Sequence, residues 1–392
     1  MIYLDAAATT PLRRDVLERM WPFLGPDFGN PSSHHEVGES AKRALDGARA
    51  DVAKVLGCKA GEITFTSGGT ESDNAAIKGI ALANPRGRHL ITSSIEHPAV
   101  LESVEFLGRM GFDITVLDVD NTGLVDPGAL AAALRDDTTL VSIQYANNEV
   151  GAIQPIADLS ALTGAKGVPF HTDAVQAAGW LDLDVGRLGV QAMSISGHKL
   201  GAPKGIGILY VGRRIRLEPL LHGGGQESGR RSGTENVASA VGMATALGLA
   251  GPSRPHSLAL AGGTPSSGQA SSETVALRDT FIKRVLAEVP DAQLTGHPTQ
   301  RLPGTASFVF PGTSGEAILL ELESRGIVCS SGSACAAGSD EPSHVLTAMG
   351  LDGPVAQTAV RFTFGRDTSA EDLETAADEL AVAVKRVKGI VS

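Results

Sequence analysis

The sequence is poor in cysteine and has no long apolar runs. Its 392 residues include only three cysteines, Cys58, Cys329 and Cys335. Three thiols at these spacings build no disulfide framework and match no zinc-binding pattern. No stretch reaches the roughly 18 uncharged apolar residues of a membrane span, and the N-terminus does not resemble a signal peptide. These absences predict a cytoplasmic protein that does not bind a membrane.

Clustered positive charge is missing as well. The formal net charge is -11, and no run of lysine and arginine occurs. Because nucleic acids and anionic membranes are bound through clustered basic residues, this charge pattern argues against DNA or a membrane surface as a partner. The acidity favours solubility.

The chain is long enough for about two or three domains with buried cores. Between residues 13 and 250, short apolar runs alternate with helical patterns, which predicts a large α/β domain with a mostly parallel sheet. Residues 251–273 are rich in Gly, Pro and Ser, which predicts a linker or a disordered segment. Residues 1–12 and 274–392 are assigned to a smaller α+β domain, in which residues of about 329–343 form a loop of small residues.

One strand is predicted to end in an anion site. Residues 63–66 read as a strand, and Gly68 and Gly69 then precede a helix for which Thr70 is the predicted N-cap. Free N–H groups and the helix dipole favour a phosphate at such a start. The alternative is an ordinary capped helix after a strand.

Lys199 stands where another strand is expected to stop. A lysine amine facing a pocket can form a Schiff base with an aldehyde cofactor, of which pyridoxal 5'-phosphate (PLP) is the usual one. PLP needs a phosphate site and a carboxylate beside its ring nitrogen, and both have upstream candidates. Taken alone, Lys199 is also compatible with a solvated surface charge.

Two further candidates also keep a structural alternative. Asp173, at the end of a predicted strand, is either a helix cap or the partner of a pyridine nitrogen. His97, before a proline at a helix start, is either a cap or an acid/base group that stacks on a ring.

Two more candidate residues, Cys335 and Arg361, lie towards the C-terminus. Cys335 lies in a run of small residues, which predicts an exposed loop and invites a functional role for its thiol. Arg361 either binds a carboxylate bidentately or lies on a solvated strand face. Cys58 and Cys329 are interpreted as buried small apolar residues. No resident metal is expected, because His34 and His35 are interpreted as loop residues without a second ligand pair.

Taken together, ordered motifs along the chain resemble those of the cysteine desulfurases, PLP enzymes of the class V aminotransferase family. The resemblance runs from residue 3 to the end of the chain and fails mainly at 251–273. It is carried by the segments Ser67 to Asn74, Glu96-His97, Asn147-Asn148-Glu149, Asp173 to Gln176, Ser196 to Lys199, Arg231 to Thr234 and Ser330 to Cys335.

The resemblance implies a PLP-dependent transferase fold of the aspartate aminotransferase type and a role for each matching residue. Lys199 would bind PLP covalently, and His97 would stack on its ring. The remaining cofactor contacts would come from Gly69, Thr70, Asn148, Asp173, Gln176, Ser196, His198 and, from the other subunit of a homodimer, Thr234. The substrate carboxylate would be bound by Asn148, Arg361 and Asn30.

The implied activity is the conversion of L-cysteine to L-alanine. The Cys335 thiolate would attack the substrate sulfur and carry it as a persulfide to an acceptor protein, such as an iron-sulfur scaffold. A transient role of Cys335 as an iron-sulfur ligand stays open. The alternative activities are selenocysteine lyase and other class V PLP reactions, which need not use this cysteine.

Overall fold

Strands and helices alternate in the computed structural model, which describes residues 1–84, 86–250, 267–332 and 341–391. The strands in these ranges are β1 Ile2–Tyr3, β2 Ile63–Thr66, β3 His89–Ser93, β4 Asp113–Leu117, β5 Thr138–Ser142, β6 Phe170–Asp173, β7 Ala192–Ser196, β8 Gly207–Val211, β9 Gln293–Leu294, β10 Thr305–Val309, β11 Ile327–Val328 and β12 Ala359–Thr363.

Helices cover about half of the remaining described residues. They are α1 Arg14–Leu24, α2 Glu36–Leu56, α3 Gly69–Ala83, α4 Pro98–Arg109, α5 Pro127–Ala133, α6 Ile156–Ala165, α7 Val185–Leu188, α8 Val237–Ala250, α9 Ser267–Glu288, α10 Gly315–Ser324, α11 His344–Ala348, α12 Gly353–Ala356 and α13 Ala370–Val391. Among them, none is both long enough and apolar enough to cross a bilayer.

The largest sheet contains the strands in the order β2, β8, β7, β6, β5, β3, β4. Neighbours from β7 to β4 are parallel, whereas β8 is antiparallel to both β7 and β2. Parallel neighbours require crossover connections, and helices supply them here. The predicted α/β class with a mostly parallel sheet is confirmed.

Apolar cores cover both faces of this sheet. On β7, Met193 and Ile195 pack into one core and Ala192 packs into the other, because successive strand side chains point to opposite faces. Strands buried on both faces appear in the sequence as continuous apolar runs. The predicted strand over residues 63–66 is confirmed as β2, and all four of its residues are buried.

A second core lies on an antiparallel sheet of order β12, β10, β9. Phe281 of α9 is at its centre, with ring centroids 5.2 Å from Phe362, 5.8 Å from Phe364 and 6.2 Å from Phe308. Leu4, which follows β1, is buried in the same core. The N-terminal strand β1 pairs with β11, so the first residues of the chain pack with the last third.

Two local predictions differ from the structure. Helix α3 begins at Gly69 with Gly68 before it, so the prediction that Thr70 is the N-cap is wrong. The close approach of β8 accounts for this, because a Cβ on Gly207 would lie 2.6 Å from the Gly68 carbonyl carbon. Helix α9 begins at Ser267, so residues 267–273 of the predicted linker are helical, and residues 251–266 lie outside the described residues.

We predict that Phe281→Ala lowers the free energy of unfolding by about 3–5 kcal/mol, because it leaves a cavity among three aromatic rings. Urea unfolding followed by circular dichroism measures the change. Leu286→Ala, on the same helix but 44% exposed, is the matched control and should stay within about 0.5 kcal/mol of the wild type. Equal losses in the two variants would contradict this account of the second core.

Candidate active site

Polar side chains gather at one edge of the large sheet. Strands β6 and β7 are parallel, with Asp173 opposite Ser194, so their carboxyl ends lie side by side. Lys199 follows the end of β7 after one short helical turn. In doubly wound folds, ligands bind beyond the carboxyl ends of such strands. The structure therefore places Asp173 and Lys199 at the edge where a ligand is expected.

The N-terminal segment lies against Lys199. The Lys199 Nζ donates hydrogen bonds to the carbonyl oxygens of Ala7 and Ala8, the second at 2.8 Å. The neighbouring His198 carbonyl accepts hydrogen bonds from the backbone N–H and the hydroxyl of Thr10, both at 2.9 Å. These bonds fix the lysine amine beside a turn of small residues.

Asp173 is 8% exposed at the end of β6. Its Oδ1 accepts a hydrogen bond of 2.8 Å from the Val175 backbone N–H, and within the described part of the chain Oδ2 has no hydrogen-bond partner. Burial raises the pKa of the carboxyl group, and the basic groups of His97, when protonated, and Lys199 oppose this rise. The interpretation of Asp173 as a helix cap thus accounts for Oδ1 only. Oδ2 is left available to a cationic partner.

His97 is the N-cap of α4. Its Nδ1 accepts a hydrogen bond of 3.1 Å from the Ala99 backbone N–H. Burial lowers the pKa of the imidazole, the Asp173 carboxylate opposes this, and Lys199 and His344 lower the pKa further. The predicted role of His97 as a helix cap is therefore correct for Nδ1. The acid/base role stays a prediction, for a ring that interacts electrostatically with both Asp173 and Lys199.

Of the predicted phosphate residues, Gly69, Thr70 and Ser196 lie at the start of α3, and His198 contacts the N-terminal segment. Gly69 is buried, and a Cβ at this position would lie 2.8 Å from Val175 Cγ2 and 3.5 Å from Ser196 Cβ. The first turn of a helix carries N–H groups without acceptors inside the helix. His198 bonds through Nδ1 to the Thr9 hydroxyl at 3.1 Å, and burial lowers its pKa to about 4. Thr70, in the first turn of α3, completes this set.

Arg361 of β12 is 2% exposed, so the alternative of a solvated strand face is wrong. Its Nη1 donates to the Asn148 carbonyl oxygen at 2.7 Å and its Nη2 donates to Asp5 Oδ1 at 2.6 Å. The structure thus brings Asn148 and Arg361 together as predicted candidates for one site. The sequence reasoning missed Asp5, which only its contact with Arg361 distinguishes from other acidic residues.

The other predicted residues differ in their surroundings. Gln176 donates through Nε2 to the Ala7 carbonyl oxygen at 3.1 Å, so it borders the same turn as Lys199. Asn30 lies on an exposed loop before α2 and accepts a hydrogen bond from the Ser32 backbone N–H. Thr234 is exposed on the loop before α8. Asn30 and Thr234 are not joined to Lys199 or Asp173 by any hydrogen bond that the described residues make.

Cys335 lies outside the described residues, so its predicted role is not tested by the structure. Cys58 and Cys329 are free thiols that are only partly buried, each packed against an apolar core. Burial raises the pKa of both thiols to about 12. Their apolar interpretation therefore agrees with their surroundings, since a thiol of high pKa is a poor nucleophile.

A polar network that the sequence did not reveal lies beneath Asp173. His171, fully buried two residues earlier on β6, bonds through Nδ1 to the Ser142 hydroxyl at 2.8 Å and through Nε2 to the Ser194 hydroxyl at 3.0 Å. Its Nε2 is also 3.7 Å from Oδ1 of the buried Asp73. In the sequence, polar residues within otherwise apolar strands indicate such a network.

The described residues fit PLP. A lysine amine, a buried carboxylate with one unpartnered oxygen and an open helix start occur together, which matches the aldehyde, pyridine nitrogen and phosphate of that cofactor. The electrostatic interaction of Asp173 with both Lys199 and His97 places these three groups near one another.

Comparisons with known proteins agree with this fold. The aminotransferase class-V family model matches residues 2–375. The chain belongs to this family, whose members depend on PLP.

Individual relatives match over nearly the whole chain. This chain is 46% identical over 390 residues to cysteine desulfurase IscS of Dictyoglomus turgidum, and the match covers 99% of this chain and 96% of the relative. The solved structure of a NifS-like protein has a TM-score of 0.88 and 35% identity, covering 98% of this chain and 99% of that one. A structure described as SspA in complex with cysteine has a TM-score of 0.79 and 37% identity, with coverages of 93% and 99%. The predicted PLP-transferase fold is confirmed.

The His171 network generates a prediction about acid stability. Burial lowers the pKa of His171 to about 3, so on acidification the unfolded state binds a proton before the folded state does. The contribution of neutral His171 to the free energy of unfolding is fully present above about pH 6.5, the ordinary pKa of histidine. It is lost as the pH falls towards 3, by up to about 1.4 kcal/mol per pH unit.

We therefore expect the free energy of unfolding of His171→Gln to fall less steeply than that of the wild type between pH 6.5 and 4.5. Urea unfolding at several pH values measures both slopes. His34→Gln, at an exposed loop position, serves as the control and should keep the wild-type slope. Parallel curves for His171→Gln and wild type would show that His171 takes up its proton as easily in the folded state as in the unfolded chain.

Proposed function

We propose that this protein is a PLP-dependent cysteine desulfurase that converts L-cysteine to L-alanine and transfers the sulfur to Cys335. The observation that carries the proposal is the buried Asp173 carboxylate, which has one unpartnered oxygen and interacts electrostatically with Lys199 and His97. The relatives support the substrate, because one is named a cysteine desulfurase and another is described in complex with cysteine.

The cofactor site combines residues at or beyond the carboxyl ends of β2, β5, β6 and β7. Lys199 would bind PLP covalently, Asp173 would pair with its ring nitrogen and Gln176 would bond its phenolic oxygen. The phosphate would lie at the start of α3, held by Gly69, Thr70, Ser196 and His198, and Asn148 would border the ring. When bound, PLP supplies an electron sink for the charge that develops at the substrate Cα.

The chain's own groups supply the proton transfers. The Lys199 amine and the His97 imidazole are the candidate bases for the Cα proton of the substrate. Burial and the charge of Lys199 lower the pKa of His97, which favours the neutral ring that a base requires. His97 uses Nδ1 for the α4 cap, so Nε2 is the atom that would accept or return a proton.

Sulfur transfer would use the Cys335 thiolate as the nucleophile. A bond forms between the Cys335 sulfur and the substrate sulfur while the substrate bond between sulfur and Cβ breaks. The electron pair of that bond stays with Cβ, which takes up a proton and becomes the methyl group of alanine. Cys335 is left as a persulfide, from which an acceptor thiolate can take the terminal sulfur.

Arg361 is the proposed anchor for the substrate carboxylate, together with Asn148 and Asn30. A guanidinium carries a fixed positive charge, which attracts a carboxylate. Burial of Arg361 excludes water from that pairing, which strengthens it. The Asn148 carbonyl oxygen accepts a hydrogen bond from Arg361 and holds the two residues together.

The large unit is proposed to be residues 13–250, and the smaller one residues 1–12 with 274–392, joined by 251–273. Separate apolar clusters support this division, since one is formed on the seven-stranded sheet and another around Phe281. We also propose that the enzyme works in the cytoplasm, which the free thiols of Cys58 and Cys329 support.

A homodimer is proposed, with Thr234 of one subunit reaching the phosphate of the other. Apolar side chains exposed along one side of α1 and just beyond it support a buried partner surface: Leu17, Trp21, Leu24 and Phe28. The exposure of Thr234 on its loop also fits a contact with a second subunit. The sulfur acceptor is proposed to be a protein such as an iron-sulfur scaffold.

Cys335→Ala should abolish the formation of alanine from L-cysteine, because no thiolate remains to take the sulfur. The assay measures alanine released by the PLP-loaded enzyme. Cys58→Ala, at a partly buried thiol of high pKa, is the matched control and should keep wild-type activity. Wild-type alanine formation by Cys335→Ala would contradict the nucleophile assignment, and activity with selenocysteine alone would favour a selenocysteine lyase.

Asp173→Asn should lower kcat for alanine formation by at least about 100-fold, because an amide cannot stabilise a protonated ring nitrogen. Equilibrium dialysis should find PLP still bound through Lys199 and the phosphate site. The exposed Asp158→Asn on α6 is the control and should keep wild-type kcat. An active Asp173→Asn enzyme would contradict the proposed carboxylate role.

A further inference from the structure

The guanidinium of Arg361 is already paired inside the protein. Nη2 donates to Asp5 Oδ1 at 2.6 Å, and Nη1 donates to the carbonyl oxygens of Asn148 at 2.7 Å and Gly332 at 3.3 Å. Nε is buried and, within the described ranges, has no hydrogen-bond partner. A carboxylate that binds Arg361 therefore meets a positive charge that Asp5 has partly neutralised.

Asp5 is held in place by the backbone around it. It forms an isolated parallel bridge with Thr363, two residues beyond Arg361 on the same strand. The Tyr3 hydroxyl donates to the Asp5 carbonyl oxygen at 3.0 Å, and the Ala6 backbone N–H donates to the Thr363 carbonyl oxygen at 3.1 Å. With its side chain 17% exposed, Asp5 is a fixed, mostly buried partner of the arginine.

A paired arginine attracts a second carboxylate less strongly than an unpaired one, because the two anions compete for one positive charge. This matters for the reaction, since the substrate and the alanine product carry the same carboxylate. An interaction made equally with both lowers KM but also slows release of the product. An arginine without a counter-ion in a water-excluded site would hold both tightly.

We propose that Asp5 tunes the affinity of Arg361 for the carboxylate of the amino acid, keeping it weak enough for alanine to leave. Asp5 is thus a positioning residue that acts through Arg361 and orients its guanidinium. The inference rests on the proposed role of Arg361 as the substrate's carboxylate anchor.

The test compares wild type with Asp5→Asn, both loaded with PLP. The amide keeps the size of the side chain and an oxygen for Nη2 but removes the negative charge. We expect the dissociation constant of L-alanine, measured from the change in cofactor absorbance, to fall by at least about fivefold, as expected for a charge-assisted contact. The dissociation constant of ethylamine, which is alanine without its carboxylate, should not change.

Asp5→Glu, which keeps the charge, is the conservative control and should bind L-alanine within about twofold of the wild type. Thermal unfolding of all three proteins checks that the fold is intact. An unchanged or weaker affinity of Asp5→Asn for L-alanine, or an equal shift for ethylamine, would overturn the inference. The proposed function fails separately, if the wild-type enzyme makes no alanine from L-cysteine.

Discussion

The cost of burying negative charge at one edge of the sheet constrains the whole candidate site. Asp73, Glu96 and Asp173 are all buried there, and the pKa of each is raised by burial. The pKa of Glu96 rises to about 8, and Asp173 raises the pKa of both other groups further. Of these three carboxyl groups, Asp173 is the one whose rise in pKa is opposed by neighbouring basic groups, His97 and Lys199. Asp173 is therefore the carboxyl group that most readily carries a negative charge.

The N-terminal segment links the two cores at this edge. Leu4 is buried in the second core, Asp5 pairs with Arg361, and the carbonyl oxygens of Ala7 and Ala8 accept hydrogen bonds from Lys199. One short stretch of chain therefore contacts both the proposed carboxylate anchor and the proposed Schiff-base lysine. A displacement of this segment would alter both contacts together, which makes its backbone pairing with β12 and β11 part of the site.

Local sequence patterns predicted the alternation of strands and helices because six of the seven strands of the large sheet are fully buried, and the same alternation placed Asp173 and Lys199 at one edge. The patterns did not predict where α3 begins, since the approach of Gly207 to Gly68 is a tertiary contact. Asp5 and Arg361 are 356 residues apart in sequence, and nothing near either residue indicates the other. His171 was missed for a similar reason, because its two hydroxyl partners lie on neighbouring strands.

Residues on both sides of Cys335 in sequence form hydrogen bonds near the turn that carries Asn148. On one side, the Gly332 carbonyl oxygen accepts a hydrogen bond from Arg361. On the other, the Ser343 hydroxyl donates to Glu149 Oε2 at 2.5 Å, and this bond opposes the rise in pKa that burial imposes on Glu149. Arg361 also binds the Asn148 carbonyl oxygen. The proposed binding of the substrate carboxylate and the contacts of the segments on either side of Cys335 therefore depend on the same few residues. A substitution of Glu149, whose side chain makes the contact with Ser343, would therefore be expected to change substrate binding and sulfur transfer together.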